Sequence, residues 1–169
     1  MSKLPEMTTY NNQTMGLTLA VPVGWTGKVL GPQAFRIFGP PEAKHNNYRA
    51  TLSVEKLDLT EDSDDKEAVY GEKAMADLII QARDDLKSEM QNFELLREER
   101  ISRVDGLPAY AHWFGWRDPE SGMSYAQIQA LVLTAEGSLY IFNAAGLRSL
   151  ESYHTPIFEH IIRSARILS

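Results

Sequence analysis

The residue types that most often perform chemistry are present in this chain, but their spacing keeps them apart. Cysteine is absent, which excludes a thiolate nucleophile, a disulfide and a cysteine-ligated metal. The four histidines, His45, His112, His154 and His160, include no i, i+4 pair. His154 and His160 are six apart, on opposite sides of a helix, whereas a metal needs converging ligands. No Gly-x-Ser-x-Gly elbow occurs, and Ser121-Gly122 has the ordinary composition of a turn. Gly27, Gly31 and Gly39 fit neither a phosphate loop nor a dinucleotide fingerprint. The carboxylate run 58–67 lacks the register and the sharp-turn glycine of a calcium loop, so it reads as a solvated loop and helix cap. Glu98 and Glu99 are neighbours on a strand, point to opposite faces and cannot flank one bond. The expectation is a protein that binds rather than catalyses, with no catalytic residue, metal or cofactor.

The residues best suited to binding lie on two apolar strands. Along 109–117, one parity is Tyr110, His112, Phe114 and Trp116, and the other is Ala109, Ala111, Trp113 and Gly115. Along 123–135, Ala126, Ile128, Ala130 and Val132 form a core parity; Tyr125, Gln127, Gln129, Leu131 and Leu133 form the other. Aromatic rings supply contact area, and primary amides offer a donor and an acceptor to a polar group of an apolar partner. The candidate surface is therefore Tyr125, Gln127 and Gln129 with Tyr110, His112, Phe114 and Trp116 alongside. Its structural competitor is a second sheet face covered by one of the protein's own helices. The flank Val69, Ala76 and Ile80 of the long helix is the next place to look.

Strands and helices must position these residues. Alternation predicts strands over 17–21, 34–38 and 48–56, the last with Tyr48, Ala50, Leu52 and Val54 on one face. Pro22 and Gly24 end the first, and Gly39-Pro-Pro breaks the second. After the acidic loop 60–65, a helix runs to about Met90, with Asp64 or Asp65 as cap. Met75, Leu78, Ile79, Ala82, Leu86 and Met90 share its apolar stripe. A charged strand over 93–104 and a tight turn at Asp105-Gly106 follow. Then come strands over 109–117, 123–135 and 138–144, a helix over 147–164, and a short strand over 165–168. That helix should bury Leu150, Tyr153, Ile157, Phe158, Ile161 and Ile162, with Pro156 kinking it or marking where it becomes regular. The order implies one α/β (α+β) domain over 1–169. Its mostly antiparallel sheet of about six to eight strands is sandwiched by helices.

The chain has 169 residues, 43% of them hydrophobic, and a net charge of -6. Such a length supports one core without covalent staples. The acidic balance excludes a nucleic-acid surface and a polybasic membrane anchor. The opening residues carry no apolar targeting segment. The expectation is a cytoplasmic protein, or a periplasmic one if a leader has been removed. Its partner is expected to be another protein or an apolar peptide or helix, and a homodimer is compatible.

Several short motifs carry a resemblance. They are Pro22-Val-Gly-Trp25, Phe35-Arg-Ile-Phe-Gly-Pro-Pro41, Phe93-Glu-Leu-Leu96 after a helix, Asp105-Gly-Leu-Pro-Ala109, and the closing Phe158-Glu-His-Ile-Ile-Arg-Ser164. Together they resemble the PsbP/Mog-like superfamily. It includes the photosystem II subunit PsbP, the Ran-binding import factor Mog, DcrB-like bacterial proteins and the Eag chaperones of type VI secretion effectors. The resemblance implies an antiparallel sheet between helical layers, and binding rather than catalysis. Within the family, 105–109, the aromatic strand ending at Trp116 and Gln127-x-Gln129 resemble the Eag branch; the acidic loop 60–66 and the fuller C-terminal helix and strand depart from it. The implied function is an adaptor or chaperone for another protein. The rivals are a small-molecule-binding domain of periplasmic lipoprotein type, an enzymatic domain, and a structural subunit of a larger assembly.

Overall fold

A computed structural model describes residues 4–59, 72–90, 92–99, 104–134 and 136–167. Strands β1 (Met7–Asn12), β2 (Leu17–Pro22) and β10 (Arg166–Ile167) form a three-stranded sheet in the order β1-β2-β10. A seven-stranded antiparallel sheet holds the rest. These are β3 (Thr26–Gly31), β4 (Ala34–Phe38), β5 (Thr51–Asp58), β6 (Glu94–Glu99), β7 (Ala109–Arg117), β8 (Ser124–Leu133) and β9 (Ser138–Leu147). Their spatial order is β3-β4-β5-β9-β8-β7-β6. Helix α1 (Glu72–Glu89) lies between β5 and β6 in sequence, and α2 (Glu151–Ser164) between β9 and β10.

The two sheet faces have different covers. Phe35, Ile37, Leu52, Val54, Ala111, Trp113, Ile128, Ala130, Tyr140 and Phe142 form one core with Leu17, Leu19 and Val21 of β2 and Ile157, Phe158, Ile161 and Ile162 of α2. On the opposite face Tyr110, Leu131, Leu133 and Leu139 meet Leu78, Ile79 and Ala82 of α1. Helices thus lie on both faces, and α2 shares its face with the small sheet. Asp105 and Gly106, both at positive φ, close the turn that leads towards β7.

The opening motif has a clear physical role. Gly24 sits at φ 94, a conformation that L residues rarely adopt. The turn places Trp25 edge-on to Phe158 of α2, 6.2 Å between centroids, and against Gly39, where a side chain would crowd the indole. Pro22 ends β2 as expected: it is the last residue of the strand, paired with Met7 of edge strand β1.

Several expectations are corrected. Strands β1 and β3 were not foreseen, because neither shows clear alternation. Tyr48 does not share a face with Ala50, Leu52 and Val54; β5 starts at Thr51, and Tyr48 forms an isolated bridge to Glu42. The segment expected as one helix over 147–164 begins as the end of β9 and a 3-10 turn, Arg148–Leu150. Tyr153 is 52% exposed, and His154 is buried on that side instead. Pro156 lies inside α2, in its second turn. The acidic run 60–65 with its cap, Val69, and the side chains of Met75 and Ala76 lie outside the described residues.

Candidate functional site

Pairing registers bring the candidate residues together on the face that carries α1. On β7 and β8, Trp116 stands opposite Tyr125, Phe114 opposite Gln127, His112 opposite Gln129 and Tyr110 opposite Leu131. On β9, Leu147, Ala145 and Asn143 continue the rows of Tyr125, Gln127 and Gln129. The Gln129 row crosses six strands without a register break: Lys28, Arg36, Ser53, Asn143, Gln129 and His112. Exposure falls along it, from exposed Lys28 and Arg36, through half-buried Ser53, Asn143 and Gln129, to His112 at 1%. Arg36 Nε donates to Ser53 Oγ at 2.9 Å, and His112 Nε2 meets Gln129 Oε1 at 2.7 Å.

One side of this floor is closed. Helix α1 buries Tyr110 and Leu131, and Arg83 Nη2 donates to the Tyr110 hydroxyl at 3.1 Å. His112 packs edge-on to both Tyr110 and Phe114, and the Phe114 ring lies tilted against Phe93 at 5.4 Å between centroids. Tyr110, His112 and Phe114 are therefore buried. Over β5, β8 and β9 the floor stays half-buried: Thr51, Ser53, Tyr125, Gln127, Gln129, Asn143 and Ala145. Among the described residues this half-buried strip forms a trough with a polar centre and α1 along one side.

An aromatic group walls the end of the trough. Trp116 packs at 4.8 Å on Tyr125, and Tyr125 packs at 5.8 Å on Tyr48. The Tyr48 hydroxyl donates to the Ala145 carbonyl at 3.3 Å. Burial, and secondarily the Tyr125 hydroxyl, push the Tyr48 pKa up to about 12, so it stays a neutral donor. The two glutamines differ. Gln129 is tied to buried His112, whereas Gln127 makes no side-chain hydrogen bond among the described residues. By register both belong to the face opposite α2, although Gln127 also borders the cleft beside α2. Ile80 on the alternative helix flank is 59% exposed.

Sequence reading missed Tyr48, Ser53, Arg36 and Asn143. Asn143 carried a signal, as the single amide in the apolar strand 138–144. Tyr48 carried none, since its position follows from the 3-10 turn Ala43–His45 and the Glu42–Tyr48 bridge ahead of β5.

Chemistry on the other face is held in structural contacts. A cleft of about 320 Å³ lies between α2 and the β6–β8 strands, lined by Leu96, Arg97, Trp113, Thr155 and Glu159 among others. Arg97 stacks 3.8 Å over the Trp113 ring, and Glu159 Oε1 accepts from Arg97 at 2.7 Å and from Trp113 Nε1 at 3.0 Å. Among the described residues no three histidine or carboxylate side chains converge as a metal site would require. Among those residues no helix is long and apolar enough to cross a membrane.

Comparison with known proteins rests on shape. No family model and no curated protein matches the sequence. Cyanobacterial PsbP (CyanoP) from Synechocystis sp. PCC 6803 superposes with a TM-score of 0.63 at 14% identity, covering 98% of this chain and 95% of that one. LpqN, a Mycobacterium tuberculosis protein involved in cell envelope biogenesis, gives 0.64 at 17% identity over 97% and 91%. A point mutant of the protein Mog1 gives 0.61 at 11% identity over 97% of both chains. The chain therefore has the PsbP/Mog-like α+β fold: a mostly antiparallel sheet with two helices.

Proposed function

We propose that this chain is a non-catalytic adaptor or chaperone that holds an apolar segment of another protein in the trough. The observation that supports the reading best is the strip Thr51, Ser53, Tyr125, Gln127, Gln129, Asn143 and Ala145, which is half-buried beside α1 among the described residues. A lone sheet face of this kind, fully exposed to water, would be expected to carry charge. This one instead carries amides, hydroxyls and rings, which suit an apolar helix or peptide with a few polar groups to satisfy. The finer form of the reading is a cytoplasmic chaperone for a type VI secretion effector, in line with the resemblance of Gln127-x-Gln129 to the Eag branch.

The test is co-purification with mass spectrometry, followed by affinity measurement with the purified partner segment. Gln127→Ala is the informative variant, because its side chain makes no hydrogen bond among the described residues. Binding to an effector segment with apolar helices should weaken about tenfold, or ~1.4 kcal/mol, at unchanged thermal stability. Gln129→Ala should lose stability as well, since it removes the amide oxygen that buried His112 meets, at a cost of about 1–3 kcal/mol. Full affinity in Gln127→Ala, Asn143→Ala and Tyr125→Ala alike would remove the trough as the binding surface.

A further inference from the structure

The seven-stranded sheet has two edges, β3 and β6, and they are defended very differently. An edge strand presents unpaired backbone N–H and C=O groups, which invite another strand unless charge, proline or a bulge intervenes. Edge β6 reads Glu-Leu-Leu-Arg-Glu-Glu, with a bulge between Leu95 and Arg97. Edge β3 reads Thr-Gly-Lys-Val-Leu-Gly, with Lys28 its only charge. Its register against β4 is regular from Thr26 to Val29 and shifts only beyond that, beside the turn. Val29 is 63% exposed and Leu30 48%.

The two faces of this edge differ in chemistry. Lys28 stands directly opposite Arg36, a like-charge cross-strand pair that is unfavourable by itself. Arg49 joins them, donating to Thr26 Oγ1 at 3.1 Å with its guanidinium 5.2 Å from the Phe38 ring. Three cations thus border one face of the β3–β4 hairpin, on a chain whose net charge is -6. The other face, at Gly27 and Val29, adjoins Tyr10 and Phe35, whose rings lie 5.0 Å apart.

We propose that β3 accepts an extended segment of another protein as an eighth strand, with acidic side chains on the Lys28–Arg36–Arg49 face and apolar ones beside Val29. Backbone pairing supplies the affinity, and the three cations select for carboxylates. A second copy of this chain fits poorly, because edge-to-edge pairing would bring two such cationic faces alongside each other. Lys28 and Arg36 stand at the exposed end of the row that crosses the trough, but the pairing edge is β3 itself, so Lys28→Glu tests the edge and Gln127→Ala the trough, and either can fail without the other.

The probe is the capped peptide Val-Thr-Val-Glu-Val-Thr-Val, which sets its central Glu against Lys28 in either strand direction. Titration with amide hydrogen exchange as readout should show saturable binding and slowed exchange within Thr26–Gly31. Lys28→Glu should weaken binding about tenfold, and a peptide with central Lys should recover it on that variant. Backbone N-methylation of the peptide should abolish binding to both. Absence of binding, equal affinity for wild type and Lys28→Glu, or protection mapping to β6 would overturn the proposal. So would a wild-type dimer in sedimentation whose β3 amides are already protected.

Discussion

At the scale of single residues, the two buried histidines show how position decides role. His112 ends a polar row that begins in solvent, and its ring is held between Tyr110 and Phe114. His154 lies in the α2 interface, stacked 5.8 Å on Phe158, with Gly146 of β9 admitting its ring where a Cβ would sit 3.3–3.5 Å from it. Burial holds the His154 pKa below 6.5, and the Glu42 carboxylate 3.9 Å from Nε2 offsets this in part. A base whose folded pKa is depressed binds fewer protons folded than unfolded. Its contribution to stability is therefore intact above pH 6.5 and is lost as the pH falls below that value. The thermal midpoint should drop between about pH 7.5 and about pH 5.5, and His154→Phe, which keeps a ring in place, should remove that part of the slope. Equal slopes in the two proteins would show that His154 does not titrate within the fold.

At the scale of elements, α1 decides what the trough is. Its Leu78, Ile79 and Ala82 pack with Tyr110, Leu131, Leu133 and Leu139, while Gln127 and Asn143 stay half-buried. These contacts are half-buried, so the helix is held less firmly than α2, whose Ile157, Phe158, Ile161 and Ile162 are almost fully enclosed. Ile79→Ala should cost about 1–2 kcal/mol, below the range for fully buried aliphatics. Amides of α1 should then exchange faster while those of β8 and β9 hold their protection. A uniform loss of protection would show that α1 folds as one unit with the sheet.

At the scale of the whole molecule, the small sheet is fastened to the rest of the fold by a few specific bonds. The Tyr140 hydroxyl, buried on β9, donates to the Met15 carbonyl at 2.7 Å. Ser164 at the end of α2 accepts from the Ala20 amide at 2.9 Å, and Asp105 accepts from the Ile167 amide at 2.8 Å. Tyr140→Phe removes the first bond and leaves the ring, so it should lower stability by about 1–2 kcal/mol. Chemical denaturation should remain a single transition, because both sheets share one core. A second transition would mark the small sheet as a separate unit.

What the sequence determined by itself was local. Strict alternation over 109–117 and 124–132 assigned each side chain to a face, because a strand has period two, and those parities are the ones observed. The stripe Leu78, Ile79, Ala82 and Leu86 identified one face of α1 for the same kind of reason. The candidate patch was legible to that extent: its seven residues do share a sheet face. Strand order and coverage were decided only by the tertiary structure. Placing β9 between β5 and β8 joined Ser53 and Asn143 to Gln129, residues far apart in sequence that no periodicity connects. The docking of α1 buried Tyr110, neighbouring rings enclosed His112 and Phe114, and Gln127 stayed half-buried; all of that depends on how elements dock across a sheet. Strands β1 and β3 escaped notice because an exposed strand on a sheet edge buries too little to impose a pattern, which is also why β3 remains available for another chain.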